Sequence, residues 1–164
     1  MKRILILIIF LVNGLFLQAQ GFNQAVGIRG GLSSGFEYRF FTDDANSYKL
    51  LLSTRDRGLQ LHAFKEFHQY DWFEFSDQLV FFYGAGIHAG FESWDIVRYQ
   101  YNTSWHETRT ALLAGIDGLV GIEYVFYEAP ISFGIEVKPY FDVFGREIFK
   151  IQLFDFAFTL KYLF

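Results

Sequence analysis

The chain has 164 residues, with 14 Lys and Arg against 18 Asp and Glu and a net charge of −4. That acidic balance excludes nucleic acid as a natural partner, because the phosphate backbone demands a basic surface. The lack of cysteine excludes a disulfide framework and the acylated Cys of a lipoprotein, and the length admits one domain.

Met1-Lys2-Arg3 opens the chain, an apolar stretch follows over 4–12 and 15–17, and Gln18-Ala19-Gln20-Gly21 turns polar. Basic, apolar, then a small residue at a cleavage point is the order of a secretory signal peptide, and the stretch is short for a spanning helix. A signal over 1–20, cleaved after Ala19 or Gln20, leaves a mature domain over 21–164 and moves the net charge from −4 to −6. No later apolar run is long enough to be a membrane helix. The 22 Phe and 10 Tyr, with only 2 Pro, instead suit strands that face something apolar.

Turn residues divide the mature chain into alternating segments at 24–32, 35–41, 47–55, 58–67, 78–91, 110–127, 131–144 and 150–163. These predict an all-β fold, an eight-stranded antiparallel transmembrane up-and-down barrel, eight being the smallest usual count. Ser33-Ser34-Gly35 reads as either a turn or a bulge. Tight turns at 55–58 and 128–130 contrast with a long polar-aromatic loop over 92–109, placed on the outer side, and 69–77 is a longer connection on the inner side. Tyr38, Phe40, Phe41, Tyr124, Phe126, Tyr127, Tyr162 and Phe164 cluster at strand ends, where an interfacial girdle belongs.

Parity supplies the direction of each face. Ile131, Phe133, Ile135 and Val137 alternate with Ser132, Gly134, Glu136 and Lys138, and the last strand sets Phe154, Phe156, Phe158, Leu160, Tyr162 and Phe164 against Asp155, Ala157, Thr159, Lys161 and Leu163. Charges and most glycines share one face. Glycines such as Gly84, Gly86, Gly90, Gly115 and Gly121 suit a crowded lumen better than a solvated exterior. The parity predicts a lumen ion network of Arg29, Glu37, Arg39, Lys49, Arg55, Glu66, Asp117, Glu123, Glu136, Lys138, Asp155 and Lys161, electrically balanced and filling the barrel rather than leaving a pore.

Sites of chemistry are sparse. Gly84-Ala85-Gly86-Ile87-His88-Ala89 fits G-x-G-x-x-A, but no helix follows to hold a phosphate. His62 and His88 can both face the lumen, where a metal pair or a general base competes with plain hydrogen bonding; without a third ligand in view, no metal and no cofactor are assigned. Ser53, Ser76, Ser104, His62 and His106 offer parts of a hydrolase, yet no spacing pairs a nucleophile with a base. Asn102-Thr103-Ser104 matches a eukaryotic glycosylation sequon and carries little information here. Trp94, Arg98, Tyr99, Tyr101, Trp105 and Arg109 make the long loop a candidate outer contact surface, since aromatics and Arg enrich binding surfaces.

The runs 115–124, Glu128-Ala129-Pro130-Ile131 and Glu136-Val137-Lys138-Pro139, with Tyr83-Gly84-Ala85-Gly86 and the Phe-terminated end, resemble small eight-stranded outer-membrane β-barrel proteins of Bacteroidetes-type bacteria over about 25–164. The resemblance implies outer-membrane location, contact with lipid and lipopolysaccharide, and insertion by the barrel assembly machinery, with Phe164 as the C-terminal signal. It implies no catalytic residues. The expected role is structural or surface interaction without catalysis; a lipid-modifying outer-membrane hydrolase and a soluble lipocalin-like carrier with inverted parity are the alternatives.

Overall fold

Period-two alternation runs almost without interruption through the third and fourth strands, and it sets the wall of the barrel. The computed structural model describes residues 23–55, 57–100, 103–147 and 149–164, so the 1–20 segment lies outside the described residues. The strands are β1 (Gln24–Gly31), β2 (Ser34–Asp43), β3 (Asn46–Arg55), β4 (Gly58–Gln69), β5 (Leu79–Gln100), β6 (Thr103–Val125), β7 (Ile131–Val137), β8 (Tyr140–Phe144), β9 (Lys150–Gln152) and β10 (Phe156–Leu163). They lie in the order β5-β4-β3-β2-β1-β10-β7-β6-β8-β9, and β5 pairs with β6 to close the ring. Every pairing is antiparallel. The fold is an all-β, eight-stranded up-and-down barrel, in which β7 with β8 and β9 with β10 each make one stave.

The two divided staves differ from the continuous strands expected at 131–144 and 150–163. Pro139 has no N–H to give to the ladder, so β7 stops at Val137 and pairing with β6 resumes at Tyr140. Asp155 turns inward to accept from the Ser33 N–H and hydroxyl, which interrupts β9 and β10. Leu32 and Ser33 form a turn between β1 and β2, resolving the 33–35 alternatives in favour of a turn, and the bulge of β2 lies instead between Phe41 and Asp43. The connection after β4 holds a short 3-10 turn, Tyr70–Trp72.

The largest departure is at 92–109, which is not a loop. β5 and β6 stay in register from Leu79↔Tyr124 to Gln100↔Thr103, whereas β4 leaves β5 at Phe91. The stretch beyond Phe91 therefore stands clear of the wall as a two-stranded hairpin, about 30 Å long at roughly 3.3 Å per residue. The first strand begins and the last one ends at the opposite end of the barrel, where Gln24 and Phe164 exchange backbone hydrogen bonds of 3.0 and 2.9 Å.

Which face is buried inverts the rule for a water-soluble sheet. On β3, Ser47, Lys49, Leu51, Ser53 and Arg55 are buried while Tyr48, Leu50 and Leu52 are exposed; on β4, Gln60, His62, Glu66 and His68 are buried while Leu59 and Leu61 are exposed. Phe36, Ile87, Ile116 and Phe158 extend the exposed apolar band, each more than half accessible. Among the described residues the interior has one small apolar cluster, Leu51, Phe64, Phe82 and Leu119.

Candidate functional site

The lumen is the site, and its residues arrive there by parity alone. All twelve side chains of the expected ion network are buried. Ten of them form one unbroken alternation of charge along the barrel. Glu66 meets Arg39 at 2.7 Å, Arg39 meets Glu123 at 2.7 Å, and Lys161 links Glu123 at 3.1 Å to Glu37 at 3.3 Å. Lys49 then joins Glu37 at 3.0 Å to Glu136 at 2.7 Å, Arg29 joins Glu136 at 2.6 Å to Asp155 at 3.4 Å, and Lys138 closes the series on Asp155 at 3.2 Å.

Each of these ions would cost several kcal/mol to desolvate alone, and opposed partners on both sides recover most of that. Aromatic faces complete the cages: Arg39 lies 5.2 Å and Lys161 5.7 Å from the Phe82 ring centre, and Lys49 lies 5.7 Å from that of Phe64.

Arg55 and Asp117, the remaining two, belong to a second network near the hairpin end. Arg55 meets Asp142 at 3.2 Å; Asp142 contacts His88 Nε2 at 2.8 Å; His88 Nδ1 contacts one oxygen of Asp117 at 3.0 Å. The other Asp117 oxygen lies 2.8 Å from His62 Nδ1, and His62 Nε2 lies 3.0 Å from Ser53 Oγ. His62 and His88 are direct partners in the β4–β5 register, which is why one carboxylate on β6 reaches both.

Asp142 and Glu92 correct the expected balance. Among the described residues the buried cations are six, Arg29, Arg39, Lys49, Arg55, Lys138 and Lys161, but the buried carboxylates are eight. Asp142 shares the inward parity of Tyr140, and Glu92 turns into the mouth at the foot of the hairpin, where it accepts from the Arg146 N–H at 2.6 Å.

At the Gln24–Phe164 end of the barrel a cavity of ≈ 470 Å³ is lined by Phe41, His68, Tyr70, Leu163, Arg39 and Glu123 among others. Beyond it lie the ion pairs just described.

Among the hydrolase parts, Ser53, His62 and Asp117 do have the connectivity of a Ser-His-Asp triad, with Nε2 on the serine and Nδ1 on the acid. Ser53 is fully shielded inside the lumen, away from the exposed apolar surface, and Asp117 is shared with His88. Ser47 also meets a histidine, His68 at 2.8 Å, but there the acid Glu66 accepts from the serine itself. Ser104 and His106 stand on the hairpin, and Ser76 lies in the connection after the 3-10 turn, so neither completes a set.

On the hairpin, the register pairs Trp94 with Arg109, Ile96 with Glu107 and Arg98 with Trp105. These six share one face, continuous with the lumen parity. Four of the six candidate contact residues, Trp94, Arg98, Trp105 and Arg109, thus come together, while Tyr101 and the Tyr99 side chain lie outside the described residues. The reverse face sets exposed Val97 among polar side chains: Ser93 bonds Thr110 at 3.0 Å and Thr108 bonds Asp95 at 2.8 Å. The base is fixed by the Arg57–Asp95 ion pair and by Arg146, whose guanidinium lies 5.1 Å from the Trp94 ring centre.

The Thr108 hydroxyl, and then Arg57, hold the exposed Asp95 carboxyl below its ordinary value; Arg98, and then Arg109, do the same for Glu107. A carboxyl depressed in the folded state contributes stability at neutral pH that is lost as pH falls through its folded value. The protection of amides between the hairpin strands, measured relative to the intrinsic exchange rate at each pH, is therefore expected to fall only below the ordinary carboxylate range, with protection in the barrel staves unchanged at that point.

No protein-family model and no curated protein matches the chain. Among solved structures, the N-terminal β-barrel domain of OprF from Pseudomonas aeruginosa is similar at 15% identity and a TM-score of 0.48, covering 88% of this chain and 100% of that domain.

Proposed function

We propose that this protein is an exported, integral outer-membrane barrel with a filled lumen and no catalytic role, acting in envelope structure or through its projecting hairpin. One observation carries the reading. Leucine, isoleucine and phenylalanine cover the outside of the wall while ion-paired Lys, Arg, Asp and Glu fill the inside. Contiguous apolar surface of that kind marks a membrane or partner interface, and the parity is that of lipid-facing strands around a polar interior.

The Gln24–Phe164 end then faces the periplasm and the hairpin faces outward, with Trp94, Trp105, Arg98 and Arg109 toward surface partners or lipopolysaccharide. Signal cleavage near Ala19, insertion by the assembly machinery through Phe164, and kinship with the barrels of Bacteroidetes-type bacteria belong to the same proposal. A lipocalin-like carrier would need the Phe-rich face around an internal cavity, and that face is outside.

The test is fractionation of the expressed protein with urea-washed membranes, comparison of boiled and unboiled gel lanes, and conductance in planar bilayers. Retention in outer membrane, a heat-dependent mobility shift and no stepwise conductance are expected. A freely soluble, unshifted protein overturns the membrane reading. Steady single-channel conductance overturns the filled lumen.

A further inference from the structure

We propose that His62, His88 and Asp117 form a binding site for a divalent first-row transition ion, of the zinc class, inside the hairpin half of the lumen. The three side chains come from three adjacent staves, β4, β5 and β6, all are buried, and their donor atoms lie within 4.8 Å of one another. Two imidazole nitrogens and a carboxylate oxygen are a donor set suited to zinc, cobalt(II) or iron(II), with room in the coordination sphere for a further ligand.

The surroundings supply a second, independent observation. Metal-bound histidines are usually oriented through their other ring nitrogen, and here both are: His88 Nε2 meets Asp142 at 2.8 Å and His62 Nε2 meets Ser53 at 3.0 Å. Both Nδ1 atoms are thereby left to converge on Asp117. Gly115 lets the His88 ring pack against β6 beside β8, because a Cβ there would collide with the Phe141 carbonyl oxygen and meet His88 Cε1 at 2.6 Å. The lumen also holds two more buried carboxylates than buried Lys and Arg side chains among the described residues, a deficit that one dication neutralises.

Proton balance follows from the partners. Without metal, His88 spans two carboxylates, Asp117 and Asp142, and holds a hydrogen toward each, whereas His62 carries one hydrogen, toward Asp117. Coordination at both Nδ1 atoms sends the His88 Nδ1 proton to solvent and moves the His62 hydrogen to Nε2, against Ser53, so one proton leaves per ion and affinity falls in acid. Because all three ligands are shielded, the ion is loaded most readily while the barrel closes.

The full barrel, refolded in detergent with Co²⁺ present during folding or added afterwards, tests the site by the cobalt d–d spectrum and by metal content after gel filtration. One ion per barrel, with proton release in an indicator buffer, is expected. Asp142→Asn should weaken retention about 10–100-fold with the heat-dependent gel shift intact; Asp117→Asn and His88→Gln should abolish it, and His106→Ala should leave it unchanged. A folded wild-type barrel that retains no Co²⁺ under either protocol overturns the proposal. So does retention that survives Asp117→Asn and His88→Gln, which would mark adventitious binding elsewhere. The gel shift reports the barrel itself, so a failed metal site remains distinguishable from a failed membrane fold.

Discussion

Replacing Glu136 with alanine is expected to lower folding stability by about 3–5 kcal/mol, the range for removing one partner of a buried ion pair. Glu136 has no solvent exposure and holds Arg29 at 2.6 Å and Lys49 at 2.7 Å, so its loss leaves two shielded cations short of a carboxylate at the middle of the charge series. Lys49 retains Glu37 at 3.0 Å and Arg29 retains Asp155 at 3.4 Å, which keeps the barrel from failing outright. The double variant Lys49→Met, Glu136→Leu should lose less than Glu136→Ala alone, since it removes the stranded ammonium together with its partner and fills the space with apolar atoms. Urea titration of the refolded barrel, read by the gel shift, measures both. A loss under about 1 kcal/mol for Glu136→Ala, the value of exposed pairs, would mean that water reaches the network, and would reopen the case for a conducting lumen.

Burial on one side is what made the staves readable. Ser47, Lys49, Leu51, Ser53 and Arg55 face inward from β3 with Tyr48, Leu50 and Leu52 outward, and a one-residue slip would exchange every one of them. The hairpin carries no such signal. Past Phe91 both faces meet solvent, so Trp94, Asp95, Ile96 and Val97 follow no apolar-polar alternation and their composition reads as a loop. The break at Pro139 could be anticipated from its missing N–H, whereas that at Asp155 depends on Ser33, 122 positions away. The His62–Asp117–His88 contact was out of reach for a related reason. Parity places each side chain inside, but only the β4–β5 and β5–β6 registers bring the three to one height, and the length of the connection after β4 fixes the first of these registers.

Arginine at Ile87 discriminates most directly between a membrane wall and a soluble one. Ile87 is 63% exposed on the outer face of β5, opposite Ala63 and Ile116 and near the middle of the stretch that β4 and β5 share. On a water-soluble barrel, a substitution at so exposed a position would change stability by no more than about 0.5 kcal/mol in either direction. In a bilayer that position lies close to the midplane, where a lipid-facing Arg costs about 2–4 kcal/mol; near the interfaces the cost falls to about 0–1 kcal/mol. Ile151, 62% exposed on β9 toward the hairpin end, supplies the interfacial comparison with nearly the same accessibility. Urea titrations of Ile87→Arg and Ile151→Arg refolded into lipid vesicles should therefore separate by about 1–4 kcal/mol. Equal accessibility with unequal cost can arise only from a depth-dependent solvent. Equal cost would place the exposed Ile, Leu and Phe of this wall against a protein partner or water, and would remove the bilayer from the account of why the charged side chains lie inside.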